Sequence, residues 1–158
     1  KAKLTKADLT ATKLLQANLK NADLSHIETF LTSFDEANLN NAKLIHANIF
    51  GSFFNDTILE SANLEKATVQ KNDLSSANFK RASFRNADLS GEDISHANLS
   101  EAKLIKTNLL GANLFGTVLD NATFIDTKID DNVFYQRGSS HLVLKLESFL
   151  NSNKFHFT

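Results

Sequence analysis

The chain has 158 residues, 17 basic and 18 acidic side chains, a formal charge of -1, and 42% hydrophobic and 22% charged content. That length suits one domain with a sizeable core, and the near-neutral balance argues against a disordered tail and disfavours direct nucleic-acid binding. Zero Cys removes disulfides, thiolate metal sites and a Cys nucleophile, and there is no apolar run near the ~18 residues of a membrane span.

The chain starts at Lys1, holds no Met and shows no basic-then-apolar leader, so it reads as a processed product or an excerpt of a longer protein. The compartment itself is not legible, and the lack of a leader or span favours the cytoplasm.

From Leu4 onward a large apolar residue returns every fifth position through Phe134, which makes 27 centres: 16 Leu, 6 Phe, 3 Ile, 1 Val and one exception, Thr29. Two positions before each centre the side chain is small, being 16 Ala, 6 Thr and 1 Ser, with Ile27, Asn72, Glu92 and Asn132 as the departures. Five steps rotate a helical side chain by about 140° and flip a strand side chain to the opposite face, so neither regular structure fits. A short extended stretch followed by a corner does fit, and it makes the chain coil. Leu and Phe then fill the interior beside Ala, and backbones of neighbouring coils pair about 4.8 Å apart. The absence of Pro suits this, since Pro would remove a coil-to-coil donor. Some columns recur at every fourth unit (Asn18, Asn38, Asn78, Asn98; Asn72 with Glu92 and Asn132) and others fit every third, so three or four sides per coil stay open on the residues alone.

The unit Ala-(Asn/Asp)-Leu-x-x stands in Ala17-Asn18-Leu19, Ala22-Asp23-Leu24, Ala37-Asn38-Leu39, Ala62-Asn63-Leu64, Ala87-Asp88-Leu89, Ala97-Asn98-Leu99 and Ala112-Asn113-Leu114. Over residues 1–136 the chain thereby resembles the pentapeptide-repeat family. The resemblance implies an all-β fold, a right-handed quadrilateral β-helix, in which the 27 units make about 6.75 coils. It also implies a structural role for the Asn and Asp ahead of each centre, supporting the turns through side-chain to backbone hydrogen bonds.

Along the repeat, His26 and His46 hold the same corner position four units apart and stack, as two metal ligands could, yet no third ligand accompanies them, and the solvated reading is preferred. Phe30, Leu31, Phe50 and Phe53 gather at an outer corner as a candidate partner contact. The competing expectation is that the broken unit Ile27-Glu28-Thr29 carries a one-residue bulge that turns Phe30 inward. Glu92 falls at an inward position where an unpaired charge is expensive, and a bulge at Gly91 is expected to relieve it. One outer face is basic, with Lys3, Lys6, Lys43, Lys66, Arg85, Lys103 and Lys106 against Asp23, Glu65 and Asp126. The face two sides on is acidic, with Asp35, Glu36, Asp56, Asp73 and Asp93 against Lys13.

After the repeat, Gly138-Ser139-Ser140 reads as a loop leading into a short capping helix over 141–151. Leu142, Leu146, Phe149 and Leu150 form one stripe of it, either a plug on the last coil or a homodimer contact. Lys154 to Thr158 reads as a short strand or a frayed tail. The domain division is therefore 1–136 for the solenoid and 137–158 for the cap and tail.

Catalytic motifs are absent: Gly is too sparse for a phosphate loop, no Ser sits in a Gly-x-Ser-x-Gly turn, and Glu and His never take metalloprotease spacing. No enzymatic activity, cofactor or metal is expected. The first functional reading is a non-enzymatic scaffold whose partner is another protein. The second, implied by resemblance to gyrase-protecting members of the family, is a DNA mimic at a topoisomerase. It is weakened by the 14 basic and 17 acidic groups of residues 1–136, since duplex DNA carries one charge per ~1.7 Å. A third is a repeat module of a larger secreted effector.

Overall fold

The computed structural model describes residues 2–130 together with the backbone of 154–157. The helix expected over 141–151, with Leu142, Leu146, Phe149 and Leu150, lies outside the described residues, as do Asn132 and Phe134. The described strands are β1 (Glu28–Phe30), β2 (Asn48–Phe50), β3 (Thr68–Gln70), β4 (Lys103–Ile105), β5 (Thr123–Ile129) and β6 (Lys154–Phe157). They form two parallel three-stranded sheets, β1-β2-β3 and β4-β5-β6.

Single parallel bridges continue the pairing between the strands. Lys3 lies against Asp23, Asp8 against Glu28, Lys13 against Ser33 and Asn18 against Asn38, and within the repeat the offset stays at four units. A coil therefore holds four units of the repeat, and the three-unit alternative falls away. The tail takes the strand alternative: β6 pairs in parallel with β5, Thr127 opposite Phe155 and Ile129 opposite Phe157, with an irregularity between Ile125 and Thr127.

The centres and their small partners face inward. Leu24, Phe34, Leu39, Leu44, Leu59 and Leu109 are fully buried, and so are Ala22, Ala37, Ala42 and Ala62. Phe34 stacks on Phe54 one coil on with 4.8 Å between ring centroids, while Phe79 meets Phe84 edge-on at 5.2 Å. Past the first coil, where Thr replaces the inward Ala its hydroxyl donates to a carbonyl of the previous coil, as in Thr57 to Phe34 O at 2.8 Å, Thr107 to Phe84 O at 2.8 Å and Thr117 to Ile94 O at 2.9 Å. The substitution keeps the core closed because the added polar atom is paired.

Each corner is a turn in which the second residue after the centre takes a left-handed conformation, from Lys6 to Asp126, with φ between +51° and +72°. Most corners close with a centre carbonyl accepting from the amide three residues on, as in Ala7 N to Leu4 O at 2.9 Å and Ala62 N to Leu59 O at 3.0 Å. This combination marks a type II turn. The Asn or Asp before the centre accepts from the amide two residues on, as expected: Asp8 from Thr10 at 2.9 Å, Asn63 from Glu65 at 2.9 Å and Asp93 from Ser95 at 3.0 Å.

The corners after β1, β2 and β3 are built differently, and they account for Thr29, Asn72 and Glu92 among the departures from the repeat. There the closing amide donates to a side chain of the next coil instead. Thr32 N donates to Ser52 Oγ at 3.4 Å, Ser52 N to Asn72 Oδ1 at 2.9 Å, and Asn72 N to Glu92 Oε2 at 3.1 Å. Ser52 Oγ also donates to Thr29 Oγ1 at 3.0 Å, and Asn72 Nδ2 donates to Glu92 Oε2 at 3.2 Å. At Glu92 the ordinary turn returns, with Glu92 N on Leu89 O at 3.2 Å. Thr29, Ser52, Asn72 and Glu92 are thus one buried polar ladder whose rungs hold the amides that an open turn would orphan.

Two expectations are corrected by this ladder. Glu92 is not relieved by a bulge: it is 2% exposed and inward, and Asp93 still pairs in register with Asn113. Nor does the unit at Thr29 shift the chain. Ile27 and Thr29 exchange the small and large inward positions, both buried, and Phe30 pairs directly with Phe50.

Candidate interaction surface

The register at Thr29 leaves Phe30 facing outward, 45% exposed, with Leu31 at 52% and Phe53 at 43%. Phe50 is half-buried beside Phe30, ring centroids 5.8 Å apart and tilted by 37°. Gly51 sits beside this pair in the left-handed conformation, φ +55°, and a Cβ there would be in ordinary contact with the Phe30 ring at 3.5 Å. On the far side of Phe50, Lys71 Nζ sits 5.3 Å from the ring centroid, a cation over an aromatic face. Of the four sequence-predicted corner residues, Phe30 and Phe50 are in contact; Leu31 follows Phe30 in the chain, and Phe53 lies in the coil of Phe50, against Ser33 and Asp73. Ile58, 39% exposed, lies one unit past Phe53 on the next face, paired with Asn38 and Asn78, and was not singled out from the sequence. The signal for it was available, because Phe53 and Ile58 both stand where the unit has Asn or Asp.

Across the corner lies the acidic face. Glu36, Asp56, Asp73 and Asp93 are exposed and Asp35 is half-buried. Asp73 pairs directly with Phe53 along the stack. Asp35 Oδ1 accepts from Asn55 N at 3.0 Å, Asp35 Oδ2 from Ser33 Oγ at 2.8 Å, and Glu36 Oε2 from Gln16 Nε2 at 2.8 Å. None of the five joins an ion pair among the described residues. Those pairs lie on another face, where Arg81 Nε is 2.8 Å from Glu101 Oε2 and Lys80 and Glu60 complete the cluster.

His26 and His46 stack with centroids 5.0 Å apart and rings 11° from parallel. They line an open groove with Lys6, Asp8, Ile27, Glu28 and Asn48. Among the described residues no three His, Asp or Glu side chains are disposed to hold a metal ion. No helix among them is long and apolar enough to cross a membrane.

A family model of pentapeptide repeats matches residues 2–26, 37–71, 54–91 and 93–131 in eight copies. No curated protein sequence matches the chain. Of solved structures, HetL, a pentapeptide repeat protein involved in heterocyst differentiation regulation in Nostoc sp. strain PCC 7120, is 30% identical over 77% of this chain, with a TM-score of 0.44. The chain spans 63% of the length of HetL. The pentapeptide repeat protein Rfr23 of Cyanothece 51142 is 24% identical, over 77% of this chain and 90% of its own, with a TM-score of 0.33. Full-length QnrB1, a plasmid-mediated fluoroquinolone resistance protein, is 16% identical, over 92% of this chain and 94% of its own, with a TM-score of 0.44.

Proposed function

We propose that this chain, which belongs to the pentapeptide-repeat family, is a non-enzymatic scaffold that holds another protein at the corner formed by Phe30, Leu31, Phe50 and Phe53. Its solenoid is right-handed and four-sided, so that flat outer faces meet at rigid corners. The observation that carries the reading is the outward placement of Phe30, Leu31 and Phe53, each more than two-fifths exposed, with Phe30 in register with Phe50 of the next coil. A corner residue that served solubility alone would be polar, and clustered apolar side chains on a rigid frame mark contact sites.

DNA mimicry at a topoisomerase is the second reading, and the acidic face of Asp35, Glu36, Asp56, Asp73 and Asp93 is what it would use. Charge weighs against it: a competitor for a DNA channel gains affinity from a dense line of negative charge, and the opposite basic face would be repelled there. A purified gyrase supercoiling assay separates the two readings. The scaffold predicts no inhibition at micromolar protein. Inhibition abolished by Asp35→Lys with Asp73→Lys, yet untouched by Phe50→Asp, would overturn the scaffold in favour of mimicry.

A further inference from the structure

The corner carries information about the chemistry of its occupant, an inference that rests on the scaffold reading. Phe50 already takes one ammonium group, Lys71, over its ring. The exposed Phe30 and Phe53 rings offer the same negative π-face to a second cation. Acidic groups flank these rings on both sides. Glu28 precedes Phe30 by two residues on the same side of β1 and is exposed; Asp73 adjoins Phe53 in the next coil; Asp56 lies three residues beyond it. None of the three is in an ion pair among the described residues, whereas Glu60 and Glu101 on another face are neutralised by Arg81 and Lys80. Apolar contact area flanked by carboxylates outside any ion pair, with Lys71 the cation already placed at its edge, complements one kind of surface.

We propose that the corner binds a segment of a partner protein in which apolar residues alternate with Arg or Lys. The apolar side chains lie on Leu31 and Phe53, and the cations reach the aromatic faces and the Glu28, Asp56 and Asp73 carboxylates. An acidic segment is repelled by the same groups, so the flanking charge sets specificity while the rings supply contact. A second copy of this chain is the competing occupant, since its own basic face carries Lys43 and Lys66.

The test is fluorescence anisotropy of short labelled peptides in which Leu alternates with Arg, with Gln or with Glu, titrated with the full chain at low and high salt. The Arg peptide is expected to bind about tenfold more tightly than the Gln peptide at low salt and to lose that advantage at high salt. The Glu peptide is expected not to bind. Phe53→Asp and, separately, Asp56→Lys with Asp73→Lys are each expected to weaken the Arg peptide about tenfold with unchanged thermal melting. Equal binding of the Arg and Gln peptides, insensitive to charge reversal, overturns this inference and leaves the scaffold standing. Binding of the Arg peptide that ignores Phe53→Asp also overturns it. Sedimentation of the chain as a dimer dispersed by Phe53→Asp assigns the corner to a second copy and overturns it too. If no peptide binds and Phe53→Asp changes no protein contact of the chain, both readings fail together.

Discussion

At the residue scale, one backbone angle repeats through the described solenoid. The second residue after each centre sits at positive φ, and outside the four glycines the position holds Lys, Gln, His, Leu, Arg, Glu and others. An L-residue in this conformation carries a strain of about 1–2 kcal/mol, which the surrounding coil must hold. The strain is tolerable for unbranched side chains and prohibitive for β-branched ones, so the position selects against Val, Ile and Thr rather than for any one residue. That explains why it could not be read from the sequence, where the corner was inferred from the period and its handed conformation was not. Lys66, with φ of +58°, provides the check. Lys66→Val is expected to lower unfolding stability by roughly 1–2 kcal/mol although the residue is exposed, while Lys66→Gly keeps or raises it. Chemical denaturation measures both, and a Val variant as stable as the Gly variant contradicts the assignment.

At the element scale, the ladder from Thr29 to Glu92 explains residues that looked like defects of the repeat. Their sequence positions were legible as departures, but the partner of each lies a full coil away, across a boundary that only the register reveals. Burial pushes the Glu92 carboxyl above its ordinary value, with the nearby Asp88 charge acting in the same direction and the hydrogen bonds from Asn72 and Lys71 opposing it. The folded chain therefore keeps a proton on Glu92 at pH values where the unfolded chain has released it. The folded state binds more protons in that window, so this group's contribution to stability falls as pH rises from the unfolded value through the folded one. Glu92→Gln keeps an oxygen for Asn72 and removes the ionisation. Its melting temperature is expected to match wild type at acid pH and to exceed it increasingly toward neutrality. Glu92→Ala, which restores the common residue of the repeat, is expected to cost about 1–3 kcal/mol because Asn72 N–H loses its acceptor. A pH-independent gap between the Gln variant and wild type, or a neutral Ala variant, contradicts the ladder.

At the scale of the whole molecule, the solenoid was legible because a period of five admits a coil and excludes helix and flat strand. The number of sides was not, since the polar columns fit both a three-unit and a four-unit coil until the pairing of Asn18 with Asn38 and Asn78 with Asn98 is seen. The apolar corner was half legible. Phe30, Leu31, Phe50 and Phe53 could be grouped from the repeat, but the outward turn of Phe30 depended on Ile27 and Thr29 exchanging sizes without shifting the chain. The Lys71 cation over Phe50 needed the three-dimensional arrangement.

What a rigid rod of this kind can do is hold side chains at fixed spacing, and the central claim is that the aromatic corner holds a protein. Affinity capture from cell extract on immobilised wild type and on Phe53→Asp, both melting alike and both read by quantitative mass spectrometry, tests it directly. The account predicts at least one protein retained by wild type and lost from Phe53→Asp. The same proteins retained in the same amounts by both would contradict it.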